Sequence, residues 1–195
     1  MIVVDVEASG VNPYKHSLVS IGAVDFENPS YQFYGECRVW DGADIMDDAM
    51  AVNGFTREEI TDLKKQTDES LVQSFLAWME KVPEHTICGQ NPSFDRDFLA
   101  VTAARYHIDW PLAFRTIDTH TVGYMHFLLH GITPPTSKKH SALDLDAILK
   151  YVGLPEEPMP HNALTGAKVE VEAFSRLVYN KQLLEEFKKY KIPWV

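Results

Sequence analysis

The sequence predicts an α/β fold in which a mixed β-sheet is flanked by helices. Residues 2–7 form an apolar run rich in Val and Ile, which favours a β-strand. Two more strand-like runs follow with turn residues between them, and the rest of the chain alternates short apolar runs with helical periods. Antiparallel strands followed by alternating strands and helices are typical of a mixed sheet covered by helices.

Five strands are predicted from apolar runs that are bounded by turn residues. Asn28, Pro29 and Ser30 separate the second run from the third, which suits a short antiparallel connection. The predicted strands are residues 2–7, 18–26, 31–40, 86–90 and 114–117.

Helices are predicted where apolar residues recur with helical spacing after a capping residue. Thr56 and Glu59 have the spacing of a capping box, and Asp68 is predicted to cap the helix that it begins. Residues 131–140 contain two prolines and two lysines and are predicted to form a mobile loop. The predicted helices are residues 47–52, 68–82, 94–107, 119–129, 142–152, 164–179 and 181–190.

Length and composition indicate one folded domain over residues 1–195. The chain is 45% hydrophobic and 24% charged, which excludes a disordered chain and supplies one sizeable core. No apolar run approaches the roughly 20 residues that span a bilayer, so no membrane segment is expected. The first residues include no basic stretch and no small-residue cleavage site, so a signal peptide is not expected either. With only Cys37 and Cys88 there is no disulfide framework, and we expect buried thiols in a reducing cytoplasm.

The charge balance restricts how the protein could bind nucleic acid. The formal net charge is −10, from 28 acidic and 18 basic residues. A protein that binds nucleic acid by neutralising phosphates alone is normally basic. Acidity instead permits a site that captures divalent cations, which then meet an anionic substrate.

Two carboxylates interrupt the first apolar run. Asp5 and Glu7 are two residues apart on a predicted strand, so their side chains leave the same face. A solvated strand end is the alternative interpretation, but residues 2–4 are apolar on both faces and favour a central strand. A divalent cation would offset the repulsion and desolvation of such a pair. Ser9 and Gly10, directly after it, would allow a ligand to approach the backbone.

Two further clusters contain candidate functional side chains. Asp95 opens a predicted helix directly after a short strand, where an acidic residue can also simply complement the helix dipole. His161 follows a proline-rich stretch, and it is either a surface residue or an acceptor of a proton from water near neutral pH.

The three clusters are informative as an ordered set. The motifs are Asp5-x-Glu7, Asn91-x-x-x-Asp95 and His161-x-Ala163-Leu164. In this order they resemble the DEDDh 3′–5′ exonucleases, a superfamily that includes proofreading subunits of DNA polymerases, ribonuclease T and oligoribonuclease. The resemblance covers residues 3–174 and implies an RNase H-like fold with two Mg²⁺ or Mn²⁺ ions at the active centre.

The resemblance also implies roles for individual residues. Asp5 would bridge both ions, whereas Glu7 would bind one ion and contact the terminal 3′-hydroxyl. Asp95 would hold the second ion, and His161 would take a proton from the attacking water. Ions on both sides of the scissile phosphate stabilise the attacking and leaving oxygens.

The implied substrates are the 3′ ends of single-stranded DNA or RNA. Single strands are held by backbone contacts and by stacking of bases on aromatic rings. The candidate substrate contacts are Ala8, Ser9, Asn91 and Phe94, and Lys138 and Lys139 are candidates for phosphate contacts. Proofreading members work beside a polymerase and other members act alone, and no residue pattern here indicates a protein partner.

Gly166 departs from the superfamily pattern, which has an Asp five positions after the histidine. Because glycine has no side chain to bind a metal, we expect weak Mg²⁺ binding at one position and little turnover. A water, or Glu170 about 6 Å further along the helix, would preserve weak activity if it replaced the ligand. Alternatively, the chain is a catalytically inactive module that binds nucleic-acid ends, or a structural interaction domain that was never required to catalyse.

Overall fold

A mixed five-stranded sheet forms the centre of the protein, for which a computed structural model describes residues 1–195. The strands are β1 Ile2–Ala8, β2 Leu18–Asp25, β3 Gln32–Glu36, β4 Ile87–Gly89 and β5 Thr116–Asp118. Their order in the sheet is β3–β2–β1–β4–β5. The pairs β1–β2 and β2–β3 are antiparallel, whereas β1–β4 and β4–β5 are parallel. The predicted α/β fold with a mixed sheet is confirmed.

Seven α-helices and one 3₁₀ turn surround the sheet. The helices are α1 Asp47–Asn53, α2 Arg57–Ile60, α3 Asp68–Met79, α4 Ser93–Arg105, α5 Thr119–Leu129, α6 Leu145–Tyr151 and α7 Ala163–Tyr179, and the 3₁₀ turn is Glu185–Phe187. None of them has the length and apolar character that crossing a bilayer would require.

The central strand β1 is buried from both sides. Val4 and Val6 belong to a core that also contains apolar residues of α3 and α4. Val3 belongs to a second core that contains residues of α7. Because successive side chains of a strand alternate between faces, Asp5 and Glu7 lie on the α7 side of the sheet.

The helix predicted over residues 181–190 is wrong, because only the 3₁₀ turn Glu185–Phe187 forms there. Two smaller features also differ from the sequence predictions, and the first is the cap of α3. This helix is capped by the side chain of Thr67, which accepts a hydrogen bond from the Ser70 amide, and not by Asp68. The Asp68 carboxylate is instead buried and accepts hydrogen bonds from Arg105 and Tyr106. Thr67 therefore caps the helix and its neighbour Asp68 forms a buried ion pair. The sequence pattern alone does not show which of the two residues has which role.

The second difference is that the segment predicted to be a mobile loop contains a short hairpin. Its strands are β6 Thr136–Ser137 and β7 His140–Ser141. Lys138 and Lys139 form the two-residue turn, with φ of 50° and 66°. Positive φ at both turn residues is the geometry that matches the twist of a tight hairpin.

The start of α7 is fixed by a cap and by close packing. The Asn162 side chain accepts hydrogen bonds from the Leu164 and Thr165 amides. A Cβ on Gly22 of β2 would collide with the backbone carbonyl carbon of Ala163. The absence of a side chain at Gly22 therefore lets the first turn of α7 lie directly against the sheet.

A buried ion pair ties the end of the chain to α7. Arg176 Nε donates to Glu172 Oε1 at 2.7 Å, and both side chains are fully buried. The Arg176 guanidinium also donates to the carbonyls of Val152, Phe187 and Tyr190, while the other Glu172 oxygen accepts two amides just beyond α7.

Candidate active site

A cavity of about 350 Å³ lies at the edge of the sheet where the parallel strands β1 and β4 end. Most of its lining residues are acidic, and none is Lys or Arg. The acidic ones are Asp5, Glu7, Asp144, Asp146, Glu157 and Glu170. An anionic phosphate would be repelled from this cavity unless cations were bound there first.

Asp5 and Glu7 enter the cavity from β1, as their spacing predicts. Glu7 is buried, and Asp5 is partly exposed to the cavity. The carboxylate of Asp5 lies directly beside the Cα of Gly166, so a Cβ at that position would collide with Asp5 Oδ2. The missing side chain of Gly166 is thus next to one of the predicted ligands.

Asp95 lies in the first turn of α4, as predicted, and is 5% exposed. Its Oδ1 accepts a hydrogen bond from the Val6 amide at 2.9 Å. Since Val6 stands between Asp5 and Glu7, this bond places the Asp95 carboxylate close to both. Strand β1 pairs with β4 only at Ile2 and Val3, so the Val6 amide lies beyond the paired residues and donates to Asp95 instead.

Glu170 also reaches the cavity, although its position on α7 made it a doubtful substitute ligand. Its Oε1 accepts from the Gln90 amide at 3.1 Å, and its Oε2 has no hydrogen-bond partner. A Cβ on Gly89 would meet Glu170 Oε2 at 2.9 Å. Its backbone is one helical turn from Gly166, but its long side chain brings the carboxylate over the end of β4.

Three acidic residues of the cavity, Asp144, Asp146 and Glu157, were not predicted as site residues, and Glu157 is buried among them. It lies between α6 and α7, and its side chain is only 5% exposed. Its Oε2 is 3.7 Å from His161 Nδ1, and its Oε1 has no hydrogen-bond partner. The neighbouring Glu156 is exposed, and nothing in the sequence distinguishes the two.

Burial and mutual repulsion raise the pKa of the carboxyls in this group. Burial raises the pKa of Asp5 well above its usual range, and the charges of Glu170, Asp95, Glu7 and Glu157 raise it further. Burial, with the charges of Glu157 and Asp95, raises the pKa of Glu7 to about 8. Burial also raises the pKa of Asp95 to about 7. The cluster therefore lacks the positive charge that would keep all its members ionised.

The donor set has the chemistry that Mg²⁺ or Mn²⁺ requires. Carboxylate oxygens are the preferred ligands of these ions, and Glu157 Oε1 and Glu170 Oε2 are buried without any partner. As the side chains stand, no three acidic or histidine groups are arranged to hold an ion in common. Asp95 and Glu170 each commit one oxygen to a backbone amide, so binding an ion requires the remaining oxygens to turn toward it.

Ala8 and Ser9 lie at the end of β1 and are buried. The Ser9 hydroxyl donates to the Asp44 carbonyl and accepts from the Ser17 amide. The Ala8 carbonyl accepts from the Asn53 side chain. In this arrangement the polar groups hold the loop after β1, and neither residue lines the cavity.

Asn91 and Phe94 lie where α4 begins and are more accessible. Asn91 is exposed with φ of 53°, and its amide donates to Asp118 Oδ1 at 3.1 Å. Phe94 is half-buried against Phe98, with ring centroids 4.8 Å apart. Of the four predicted substrate contacts, these two retain surface that a nucleic acid could touch.

This sheet topology, with carboxylates gathered where β1 ends, is that of an RNase H-like exonuclease. Residues 2–174 match the sequence model of the RNase_T exonuclease family, and the chain belongs to that family. The predicted membership in the DEDDh exonuclease superfamily is therefore confirmed.

One similar protein of known activity comes from Escherichia coli. It is the 3′-5′ DNA exonuclease Cap18, which is 29% identical over 176 residues. The match covers 88% of this chain and 87% of Cap18.

Solved structures share the fold. Escherichia coli Exonuclease I in complex with a dA16 oligonucleotide superposes with a TM-score of 0.73 at 19% identity, over 93% of this chain but only 41% of Exonuclease I. The nuclease domain of 3′hExo, a DEDDh family member bound to rAMP, gives a TM-score of 0.70 at 15% identity and covers 94% of each chain. The predicted RNase H-like fold is confirmed.

Proposed function

We propose that the protein is a 3′–5′ exonuclease that hydrolyses phosphodiester bonds at the 3′ ends of single-stranded DNA, with two Mg²⁺ or Mn²⁺ ions. The observation that carries this proposal is that Asp5 and Glu7 line one cavity and Asp95 of α4 bonds to the strand residue between them, in a chain of the exonuclease family. DNA is favoured because Cap18 is a DNA exonuclease and Exonuclease I was solved with DNA, and RNA is the alternative substrate.

Asp5, Glu7 and Asp95 are the residues that would hold the ions. Bound divalent ions neutralise the phosphate and stabilise negative charge on the attacking and leaving oxygens. The Val6 amide holds one Asp95 oxygen in place, which leaves the other for ligation. Burial of Glu7 excludes water from its carboxylate, and this strengthens its attraction to a cation.

His161 is the proton acceptor in this proposal. It lines the cavity, is about one-third exposed, and stands at the entrance to α7. The carboxylate of Glu157 lies 3.7 Å from its Nδ1, on the side where a carboxylate orients the ring of other catalytic histidines. The imidazole can therefore take a proton from a water that attacks the phosphate.

Gly166 supports a second candidate function. It leaves the superfamily's fourth acidic position without a side chain, and losing a metal ligand is expected to cost more than the roughly tenfold to hundredfold typical of supporting groups. If no other group compensates, the protein binds nucleic-acid ends without cleaving them.

A degradation assay separates these functions. The chain is incubated with 5′-labelled single-stranded DNA or RNA of one sequence, with Mg²⁺ or Mn²⁺, beside an Asp5→Asn/Glu7→Gln control. The exonuclease yields a ladder that shortens from the 3′ end, which EDTA and the control abolish. Binding of intact oligonucleotide without a ladder would instead establish the end-binding module, and absence of both activities would refute both functions.

We further propose that residues 1–195 form one domain in a reducing, cytoplasmic setting. Helix α7 contributes to two of the apolar cores, and Leu184 beyond it packs into one of them, which supports a single unit. Cys37 and Cys88 are free and buried, which is consistent with a reducing compartment.

A further inference from the structure

Two carboxylates lie beside the position where a side chain of residue 166 would begin. One is Asp5, whose Oδ2 occupies the space that a Cβ at position 166 would need. The other is Glu157, whose Oε1 lies 3.3 Å from the same Cβ position. A carboxylate is therefore present where the superfamily has an acidic side chain on the helix, but it comes from a different segment.

The Glu157 side chain is held in this position by its loop. The Glu157 amide donates to Asp146 Oδ1 at 3.2 Å, which links the loop to α6. The same segment is anchored again where the His161 amide donates to the Val52 carbonyl at 2.9 Å. The loop is therefore fixed on both sides of the stretch that carries Glu157 to the cavity.

The burial of the Glu157 carboxylate and its missing hydrogen-bond partner indicate that it binds a ligand. Its side chain is only 5% exposed, and its Oε1 has no hydrogen-bond partner in the chain. Burying an unpartnered carboxylate is costly, and the cost is offset when the group coordinates a metal. The imidazole of His161 faces the other oxygen and leaves Oε1 free.

We propose that Glu157 supplies the acidic metal ligand that Gly166 cannot supply, so that a loop residue replaces the helical one. The inference rests on the proposed metal-dependent function of the same cavity. With Glu157 as a ligand, the number of carboxylates around the ions is restored, so the weak Mg²⁺ binding expected from Gly166 no longer follows.

Glu170 fits this role less well. Its Oε1 is committed to the Gln90 amide, and none of its side-chain atoms lies as near to the Cβ position of Gly166 as Glu157 Oε1 does. Its free oxygen faces Gly89 at the end of β4. Glu170 therefore borders a different part of the cavity.

Calorimetric titration of Mn²⁺ into the full chain tests the proposal without relying on turnover. Glu157→Gln should weaken Mn²⁺ binding at one site by at least about tenfold, since it keeps the shape of the side chain and removes its charge. Glu156→Gln, one residue away and exposed, should leave the affinity of the parent unchanged. In the double variant Glu157→Gln/Gly166→Asp, affinity should return, because a carboxylate then stands at the helical position and the Asp5 carboxylate that a Cβ there would meet can turn toward the ions.

A melting experiment separates ligation from a structural role. In EDTA, Glu157→Gln should melt at or above the parent's temperature because it removes an unpartnered buried charge, whereas removal of a structural contact would lower that temperature. Saturating Mn²⁺ should then stabilise the parent more than the variant.

Unchanged Mn²⁺ affinity in Glu157→Gln, or no recovery in a folded double variant, would overturn the inference while leaving the exonuclease proposal intact if the parent degrades DNA. A parent that neither binds Mn²⁺ nor degrades DNA would refute the proposed function, and the inference with it.

Discussion

The Val6 amide donates a hydrogen bond to Asp95 Oδ1 at 2.9 Å, joining the central strand to helix α4 across 89 positions of the chain. The bond gives Asp95 two separate tasks. One oxygen holds α4 against β1, and in the proposed function the other oxygen would bind a cation beside Asp5 and Glu7. Stability and cleavage can therefore be altered independently at this residue.

Asp95→Asn should separate the two tasks. The amide oxygen still accepts from Val6, but the charge is gone, so we expect cleavage to fall by about 100-fold or more while the free energy of unfolding in EDTA does not decrease. Asp95→Ala should also lose about 1–3 kcal/mol of stability, because the buried Val6 amide is left without a partner. Urea denaturation and a gel-based cleavage assay measure these effects.

Asp97→Asn, on the exposed side of the same helix, is the control for Asp95→Asn. Equal cleavage by Asp95→Asn and the parent would contradict the assignment of Asp95 as a metal ligand.

Replacing His161 should slow the chemical step without changing cation binding. General-base catalysis typically contributes about 10²–10⁴-fold, so single-turnover cleavage by His161→Asn should fall within that range. Mn²⁺ affinity should stay that of the parent, since the ring is not among the proposed ligands. His107→Asn changes an exposed histidine and should cleave normally. A parallel loss of metal affinity in His161→Asn would show that the ring acts as a ligand.

Stability in EDTA should fall as pH rises from about 5 to about 8. Burial raises the pKa of Glu7 to about 8 and that of Asp95 to about 7, so the folded chain keeps protons that the unfolded chain releases near its ordinary carboxyl pKa. This stabilisation is complete below the unfolded pKa and is lost as pH passes the folded pKa. Scanning fluorimetry should show the melting temperature dropping by about 2–4 °C for each kcal/mol of stability that disappears. Saturating Mg²⁺ should flatten the profile, and an equally steep profile with Mg²⁺ would argue against ion binding by these groups.

Arg176→Met tests the buried pair at the end of α7. The substitution leaves the Glu172 carboxylate fully buried without its cation, so the free energy of unfolding in urea should decrease by about 3–5 kcal/mol. Lys188→Met removes the partner of Glu185 in an exposed pair and should cost less than about 1 kcal/mol. Similar decreases in both variants would mean that burial of the Arg176 pair contributes little.

The lysines of the β6–β7 turn should contribute modestly to binding of single strands. Each phosphate that a protein neutralises on a single strand adds about 0.7 to the salt dependence of affinity, so few basic groups give a shallow slope. Lys138→Asn/Lys139→Asn should therefore lower the slope by about 1.4 if both touch phosphates, and Asn tolerates the positive φ of the turn. Fluorescence anisotropy with a phosphorothioate oligonucleotide measures this. Lys81→Asn is the matched exposed control, and an unchanged slope in the double variant would exclude the turn as a phosphate-binding element.

Much of the fold was predictable because the signals are local. The two-residue period of β1 placed Asp5 and Glu7 on one face, and a strand followed by a helix placed Asp95 in a first turn. The position of Glu157 was not predictable in this way. It depends on where a loop between two helices settles after packing, and its sequence does not distinguish it from exposed Glu156.

The position of the Glu170 carboxylate was not predictable from the rise along α7 alone. Helical rise gives the distance between the backbones of Gly166 and Glu170, but the long side chain carries the Glu170 carboxylate to the Gln90 amide. Where that side chain ends depends on how α7 packs on the sheet, which no single segment of the sequence determines.

Gly22 is the register partner of Asp5 on β2, and it is also where the first turn of α7 rests. Any larger residue there would push the helix off the sheet and carry His161 and Gly166 away from the carboxylates, while the strand itself stayed paired. A survey of random substitutions should accordingly find variants at this position that are destabilised and also lose the proposed cleavage, although Gly22 itself has no side chain that could bind an ion.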